Sequence, residues 1–370
     1  MPSKGNGDPL FQGKGANLIK NRKQVLLALS GGVDSAICAH LLKRQGYHVH
    51  GLFIKMTDRS QEEASLSSAR KIAKALSISF SVIDKTQAFR RTVIDYFLNT
   101  YQTGLTPNPC VVCNPAIKFA TLIEVSRGLG IETLATGHYA RVKTSKKGKT
   151  FLLKGLDKAK DQSYFLHRLD KDLLKRLKFP LGLLSRKRVE KIAAEIGIKS
   201  LIQQESQDVC FLRGDYRQYL RRALGTKFER PGPIKTADGT TKGYHNGLSG
   251  FTIGQRRGLG IPDARPFYVV RLEPATNTLV IGKEEELFTS RCKVKEINWL
   301  VEPSEKMLVS IQVKLRSRHV PANANLKLYT SSGGREGVVY FMKPQRAVTP
   351  GQFAVFYKGP LVLGGGTVCR

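Results

Sequence analysis

Val25-Leu26-Leu27-Ala28-Leu29-Ser30-Gly31-Gly32-Val33-Asp34-Ser35 is the stretch on which the rest of the chain depends. Its five leading apolar residues predict a buried parallel strand. Ser30–Ser35 is a polar turn containing two glycines, and Ala36-Ile37-Cys38-Ala39-His40-Leu41-Leu42 predicts a helix packed back on the sheet. A strand, a tight turn and a helix start present free backbone N–H groups to an anion. Gly31 and Gly32 allow the close approach that a Cβ blocks, and Ser30 and Ser35 add hydroxyl donors. No lysine follows the glycines, so this is not the G-x-x-x-x-G-K-[ST] loop, nor is it the dinucleotide G-x-G-x-x-G.

Working outward, His48–Ile54 and Phe80–Asp84 predict two more strands. Ala64–Leu76 has helical spacing and a second helix is predicted over Ala88–Tyr101. This β-α-β-α-β alternation points to an α/β doubly wound parallel sheet, whose ligands sit at the carboxyl ends of the strands. Leu134–His138 reads as a further strand end, so Gly137 and His138 are expected to face the same crevice. Thr106–Asn114, with two prolines and two asparagines, reads as a loop that does not open a helix. Leu166–Gly197 is expected to be helical in parts, and Ser206–Leu212 closes the region. From about Arg217 glycine and proline become frequent, and from about Glu284 the pattern is all-β, with candidate strands Cys292–Asn298, Leu308–Leu315, Ala324–Tyr329, Gly337–Phe341 and Ala354–Tyr357. Five or six short strands argue for a small barrel. The expected organisation is a flexible basic tail over 1–23, an α/β catalytic domain over 24–216, a small central domain over 217–283 and a C-terminal β-barrel over 284–370.

The chain has 370 residues and 61 Lys and Arg against 29 Asp and Glu, a net charge of +32. Such an excess attracts and steers polyanions, RNA or DNA first among them. Gln255-Arg256-Arg257, Arg316-Ser317-Arg318-His319 and Lys343-Pro344-Gln345-Arg346 mix cations with amides in the way that suits RNA with exposed bases. No run of 18 apolar residues occurs, so no membrane span is expected, and the first 24 residues lack the apolar core of a signal peptide. Six cysteines are too sparse for a disulfide scaffold and fit a reducing cytoplasm.

Cys38, Cys292 and Cys369 read as small buried residues. Cys110, Cys113 and Cys210 fall near loops expected to converge on the phosphate site, where basic surroundings lower a thiol's pKa and suit a nucleophile or sulfur carrier. Cys110-x-x-Cys113 is also a zinc spacing, but the usual second pair is missing.

Ser30–Ser35 resembles the pyrophosphate loop of ATP pyrophosphatases. Together with Thr106–Asn114, Ile117-Lys118-Phe119, Ala135–Tyr139, Lys160–Leu166, Val209–Phe211, Thr252–Ile261, Pro350–Gln352 and Gly364–Gly366, it resembles, in order and from about residue 24 to the end, the tRNA-specific 2-thiouridylases of the MnmA/TrmU type. The resemblance implies that ATP, with Mg²⁺, binds at Ala28, Leu29, Ser30, Gly31, Gly32, Val33, Asp34 and Ser35, with Met56 and Gly137 nearby. It implies adenylation of O2 of the wobble uridine of tRNA and delivery of sulfur from a persulfide on Cys210. Cys113 is the partner nucleophile, releasing sulfide or closing a Cys113–Cys210 disulfide. Asn108, Pro109 and Cys110 match the part that touches the target base. His138, Lys160, Asp161, Gln162, Arg316, Ser317 and Gln352 match tRNA-contacting positions. The expected partners are lysine, glutamate and glutamine tRNAs and a cysteine desulfurase or sulfur-relay protein. One departure matters: Cys110 stands where the best-known members have aspartate. Three thiols then allow an alternative in which Cys110, Cys113 and Cys210 hold a [4Fe–4S] cluster. Another adenylating synthetase and a non-catalytic RNA-binding protein are the rival functions; neither accounts for the loop, the cysteines and the charge together.

Overall fold

The computed structural model describes residues 23–201, 209–212, 214–303, 308–331 and 334–369. Most of the expected tail and the Ser206–Asp208 part of Ser206–Leu212 lie outside the described residues. The first part of the chain runs β1 (Gln24–Ala28), α1 (Val33–Arg44), β2 (His48–Lys55), α2 (Ser60–Ala75) and β3 (Ser79–Asp84). Then come α3 (Thr86–Phe89), a π-helical run Arg90–Ile94 and α4 (Asp95–Gln102), so the single helix expected over Ala88–Tyr101 carries a wide turn inside it. α5 (Pro109–Cys113), a second π-helical run Asn114–Phe119 and α6 (Ala120–Leu129) follow without a break. β4 (Thr133–Ala135), a hairpin of β5 (Ala140–Thr144) and β6 (Thr150–Lys154), β7 (Leu177–Lys178) and α7 (Arg186–Glu195) complete the region.

β1, β2, β3, β4 and β7 form one parallel sheet in the order β3-β2-β1-β4-β7. Val25, Leu26, Leu27 and Leu29 are fully buried, each worth roughly 1.5–3 kcal/mol of apolar burial. The strand order reverses direction between β1 and β4. That switch point opens a crevice at their carboxyl ends, which is where a doubly wound sheet binds its ligand.

α8 (Tyr216–Leu224) leads into a four-stranded sheet of β8 (Gly232–Thr236), β9 (Thr241–His245), β10 (Tyr268–Glu273) and β11 (Thr278–Gly282), ordered β10-β11-β8-β9. Its core is Ile234, Leu248, Val269, Leu279 and Ile281.

The last part is β12 (Phe288–Trp299), β13 (Leu308–Lys314), β14 (Ala322–Ser331), β15 (Gly334–Arg346), β16 (Phe353–Lys358) and β17 (Leu361–Val368). β12 pairs antiparallel with both β15 and β17, which closes these six strands into a barrel. β17, absent from the strands expected above, holds Gly364, Gly365 and Gly366; glycine weakens the strand signal because it offers no side chain to pack. Packing demands it here: a Cβ at Gly364 comes within 2.1 Å of Asn298 O, and at Gly365 within 2.6 Å of His167. The β5–β6 hairpin adds to the barrel's edge through Leu153 and Leu361, so barrel and α/β domain share one hydrogen-bonded sheet. No helix among the described residues is long and apolar enough to cross a membrane.

Candidate active site

The Ser30–Ser35 turn sits where the sheet order predicts. Gly31 has φ +83°, and a Cβ there would lie 2.2 Å from the Ser65 carbonyl oxygen on α2. The turn is tied to itself: Ser30 N and Ser30 Oγ each lie 3.2 Å from Ser35 Oγ, and Ser35 Oγ donates to Gly32 O at 3.0 Å. A cavity of about 270 Å³ opens in front of it. Ala28, Leu29, Ser30, Gly31, Gly32 and Met56 line this cavity, together with Arg59, Glu62, Lys118 and Cys210. Val33, Asp34 and Ser35 turn into α1 behind it. Gly137 packs against them; a Cβ there would meet Ser35 N at 3.3 Å.

Asp34 is held by two partners from far along the chain. Tyr139 Oη donates to Asp34 Oδ1 at 2.8 Å, and Arg186 Nη1 donates to the same oxygen at 2.9 Å. Met56 N donates to Glu62 Oε1 at 2.7 Å, and Thr57 donates to Glu62 through both its backbone N–H and its hydroxyl. Glu62 thereby shapes the loop that carries Met56.

The cysteine segment corrects the loop expectation. Pro109 opens α5 directly after Asn108, and Cys110 and Cys113 lie on that helix. Proline costs nothing at a first helical position, where its missing N–H has no intrahelical acceptor. Pro115 falls in the π-helical run that follows. Cys113 packs among Phe89, Phe97, Ile117 and Phe211, with Met56 Sδ 4.0 Å from its sulfur.

The expectation of lowered thiol pKa values is also overturned. Burial pushes the Cys110 thiol up, with Lys118 opposing it. Burial takes Cys113 to about 11, again against Lys118, and Cys210 to about 12, with Cys113 and Cys110 adding to the rise. Cys210 is exposed at its surface, but its sulfur is crowded enough for desolvation to dominate. All three are free thiols and are near enough to one another to interact electrostatically. Among the described residues, no group of three or more His, Cys, Asp or Glu side chains is arranged to hold a metal ion. Cys38 and Cys292 are buried, as packing residues should be; Cys369 is half-buried.

The expected tRNA contacts divide into two sets. His138 is buried, its Nδ1 2.7 Å from Thr136 Oγ1 and its ring stacked on Phe119 with centroids 6.0 Å apart, so its side chain does not face the crevice. Burial pushes its pKa well down, and Lys118 adds to that. Asp161 is likewise inside, its side chain 4% exposed, accepting from Gly155 N and Ser163 N and paired with Lys314 at 3.7 Å. Gln162 Oε1 accepts from Tyr139 N at 2.9 Å. These three act on protein, whereas Lys160 and Ser317 are half-buried and Arg316 is exposed. Arg316 Nη2 donates to Ala347 O and to Thr349 Oγ1. Gln352 Nε2 donates to Thr106 O and Pro107 O, just ahead of Asn108. Lys118, Tyr139, Arg186 and Glu62 were not singled out by residue-level reading. Lys118 and Tyr139 fall inside the quoted motifs, whereas Arg186 follows Ser185 at a helix start that carries no distinguishing signal.

The fold and crevice define a HUP-type nucleotide-binding protein carrying two appended β domains. Residues 23–214 match the family described as tRNA methyl transferase HUP domain, 217–283 its PRC-barrel domain, and 289–368 the aminomethyltransferase beta-barrel domain. The chain is 42% identical over 349 residues to the tRNA-specific 2-thiouridylase MnmA of Acidithiobacillus ferrooxidans, covering 94% of this chain and 98% of that one. It is 41% identical to the enzyme of the same name from Chloroflexus aurantiacus, again over 94% and 98%. The chain belongs to the tRNA-specific 2-thiouridylase family. A solved U34-tRNA thiolase NcsA from Methanococcus maripaludis overlaps it more loosely, with TM-score 0.37 and 19% identity over 57% of this chain and 68% of that one.

Proposed function

We propose that the protein is an ATP-dependent tRNA-uridine 2-sulfurtransferase acting on the wobble uridine. The observation that carries this is the cavity shared by the Ser30–Gly32 turn and Cys210, which brings an anion-binding loop and a thiol to one space. ATP lies with its phosphates on Ala28–Ser35 and its base toward Met56, and Mg²⁺ accompanies the phosphates. The uracil O2 attacks the α-phosphorus and pyrophosphate leaves. A terminal sulfur carried as a persulfide on Cys210 then attacks C2, and AMP departs with the former O2. Cys113 is the partner thiol that attacks the Cys210 side, giving a Cys113–Cys210 disulfide that an external thiol reduces. The uridine must be unstacked to reach this space, and Asn108, Pro109 and Cys110 form the wall it meets. Lys160, Arg316 and Ser317 face the tRNA, with Gln352 and the loop around Asp161 and Gln162 behind them. Lysine, glutamate and glutamine tRNAs are the substrates, a cysteine desulfurase or relay protein supplies sulfur, and the reaction takes place in the cytoplasm.

The [4Fe–4S] alternative does not fit the present arrangement of Cys110, Cys113 and Cys210, which do not converge as a ligand set; no step is routed through a cluster. Incubation with ATP, Mg²⁺, a cysteine desulfurase with cysteine as persulfide-level sulfur donor, a reducing thiol and unmodified tRNA, without oxygen, followed by mass spectrometry of the digested tRNA, tests the reading. Thiouridine formed by wild type and lost in Cys210→Ser supports it. Pyrophosphate release with no thiouridine points to another acceptor. Release independent of tRNA points to a synthetase. Iron and labile-sulfide content of the active preparation decides between persulfide and cluster.

A further inference from the structure

Resting on the thiouridylation reading and deepening it, we propose that Lys118 is a catalytic residue of both half-reactions. Its ammonium contacts the phosphates of bound ATP and faces the thiols that transfer sulfur.

The phosphate turn brings no cation of its own. Ser30–Ser35 contains an acid, Asp34, and the Arg186 guanidinium that reaches the turn is bonded to that acid. Apart from the Mg²⁺ that accompanies ATP, positive charge facing a triphosphate in this cavity comes from side chains outside the turn. Among the described residues, two cations line the cavity, Arg59 and Lys118. Arg59 leans on the Tyr219 ring, 5.9 Å from its centroid. Lys118 is half-buried and stands between the buried anchors Ile117 and Phe119.

Its backbone position is unusual. Lys118 lies in the π-helical run Asn114–Phe119, which follows α5 directly. Such runs are rare, occur mostly as single turns inside α-helices and are frequent at functional sites. This one places a lysine five residues after Cys113 on the same continuous helix.

The same ammonium borders the sulfur chemistry, since Lys118 and Cys210 line one cavity. At Cys110 and Cys113 burial raises the thiol pKa and Lys118 is the first influence opposing it; at Cys210 it also opposes the rise. A cation in a poorly solvated space acts more strongly than in water. During adenylation, negative charge grows on the departing pyrophosphate; during sulfur transfer it sits on a thiolate. A fixed cation adjoining both places stabilises each in turn without rearrangement.

The test uses the full chain with Lys118→Gln and Lys118→Arg. AMP formation from ATP and tRNA is measured in a single turnover. Separately, without ATP or tRNA, the reaction of Cys113 with methyl methanethiosulfonate is followed across pH by peptide mass spectrometry. Lys118→Gln is expected to slow AMP formation about 100-fold and to slow Cys113 modification at each pH between 7 and 9. Lys118→Arg is expected to restore most of both. If Lys118→Gln leaves either quantity unchanged, the joint role is overturned. If Arg fails to rescue and both variants melt early, the lysine is structural and the proposal is also overturned. Failure of the underlying functional reading shows separately, as absence of thiouridine in wild type.

Discussion

Gln352, in the barrel, donates its side-chain Nε2 to Pro107 O at 2.9 Å and to Thr106 O at 3.1 Å, two residues ahead of the helix that carries Cys110 and Cys113. Thr106 N donates back to Pro350 O at 2.9 Å. Gly351, at φ +90°, fits because a Cβ there would lie 2.8 Å from Thr106 N. The barrel therefore fixes where the cysteine helix begins. Gln352→Ala removes two hydrogen bonds, about 1 kcal/mol each. A small drop in melting temperature should accompany a larger drop in thiouridine formation, while tRNA-independent ATP binding stays near wild type. Equal tRNA affinity with lower turnover would separate this clamp from a simple tRNA contact.

Gly31→Ala places a Cβ against Ser65 O in a left-handed backbone that costs an L-residue about 1–2 kcal/mol. The turn or α2 must then shift. Loss of ATP binding by calorimetry is expected, with the fold retained by circular dichroism.

Asp161 and Lys314 form a nearly buried ion pair between the α/β domain and the barrel, their side chains 4% and 9% exposed. Removing one partner leaves a buried charge, at a cost of roughly 3 kcal/mol. Lys314→Met should therefore lower the melting temperature by several degrees. The salt dependence of tRNA affinity should not change, since neither group is placed to meet a phosphate.

His167 is fully buried, its Nδ1 donating to Tyr164 O at 2.8 Å while Nε2 has no partner. Burial holds its pKa at about 4. Because the folded value lies below the unfolded one, the neutral ring contributes stability fully above about pH 6.5, and that contribution is lost as pH falls toward 4. The ring packs on Phe353 of the barrel, and its backbone oxygen accepts from Asn298. Acid melts should thus begin to lose stability below pH 6.5, with an amplitude of roughly 3 kcal/mol, and His167→Gln should flatten that window.

Cys113 and Cys210 titrate in the opposite sense. Their folded pKa values, about 11 and about 12, lie above the ordinary 9.0. Neutral thiols therefore favour the fold below about pH 9, and this contribution is lost as pH rises through 11 to 12. The thiolate fraction also grows with pH, so the single-turnover sulfur-transfer rate should rise between pH 7 and pH 9, measured with ATP and tRNA saturating. A flat profile would show that no free thiolate takes part in the slow step.

Much of this was legible in residue order. The apolar run Val25–Leu29 reads as a buried strand and the polar turn after it as the lead into a helix, and both are found. The shift to short alternating runs after Glu284 likewise announces a barrel. Two elements misled. Thr106–Asn114 reads as a loop because its prolines and asparagines are turn formers, yet Pro109 stands at the one helical position that tolerates it and Asn108 just outside. β17 was missed because its three glycines erase the strand signal, although close packing against Asn298 and His167 requires them.

By itself the sequence determined the sheet, the glycine-containing turn after β1 and the barrel, since these rest on local periodicity and on residue types at short spacing. Only the tertiary structure decided the rest. It closed the barrel by pairing β12 with β17 and bound it to the α/β domain through the β5–β6 hairpin. It buried the side chains of His138 and Asp161, raised the thiols by burying them and brought Arg186 to Asp34 across 152 positions of chain. Burial and long-range pairing depend on which surfaces meet in space, and that information is spread over the whole chain.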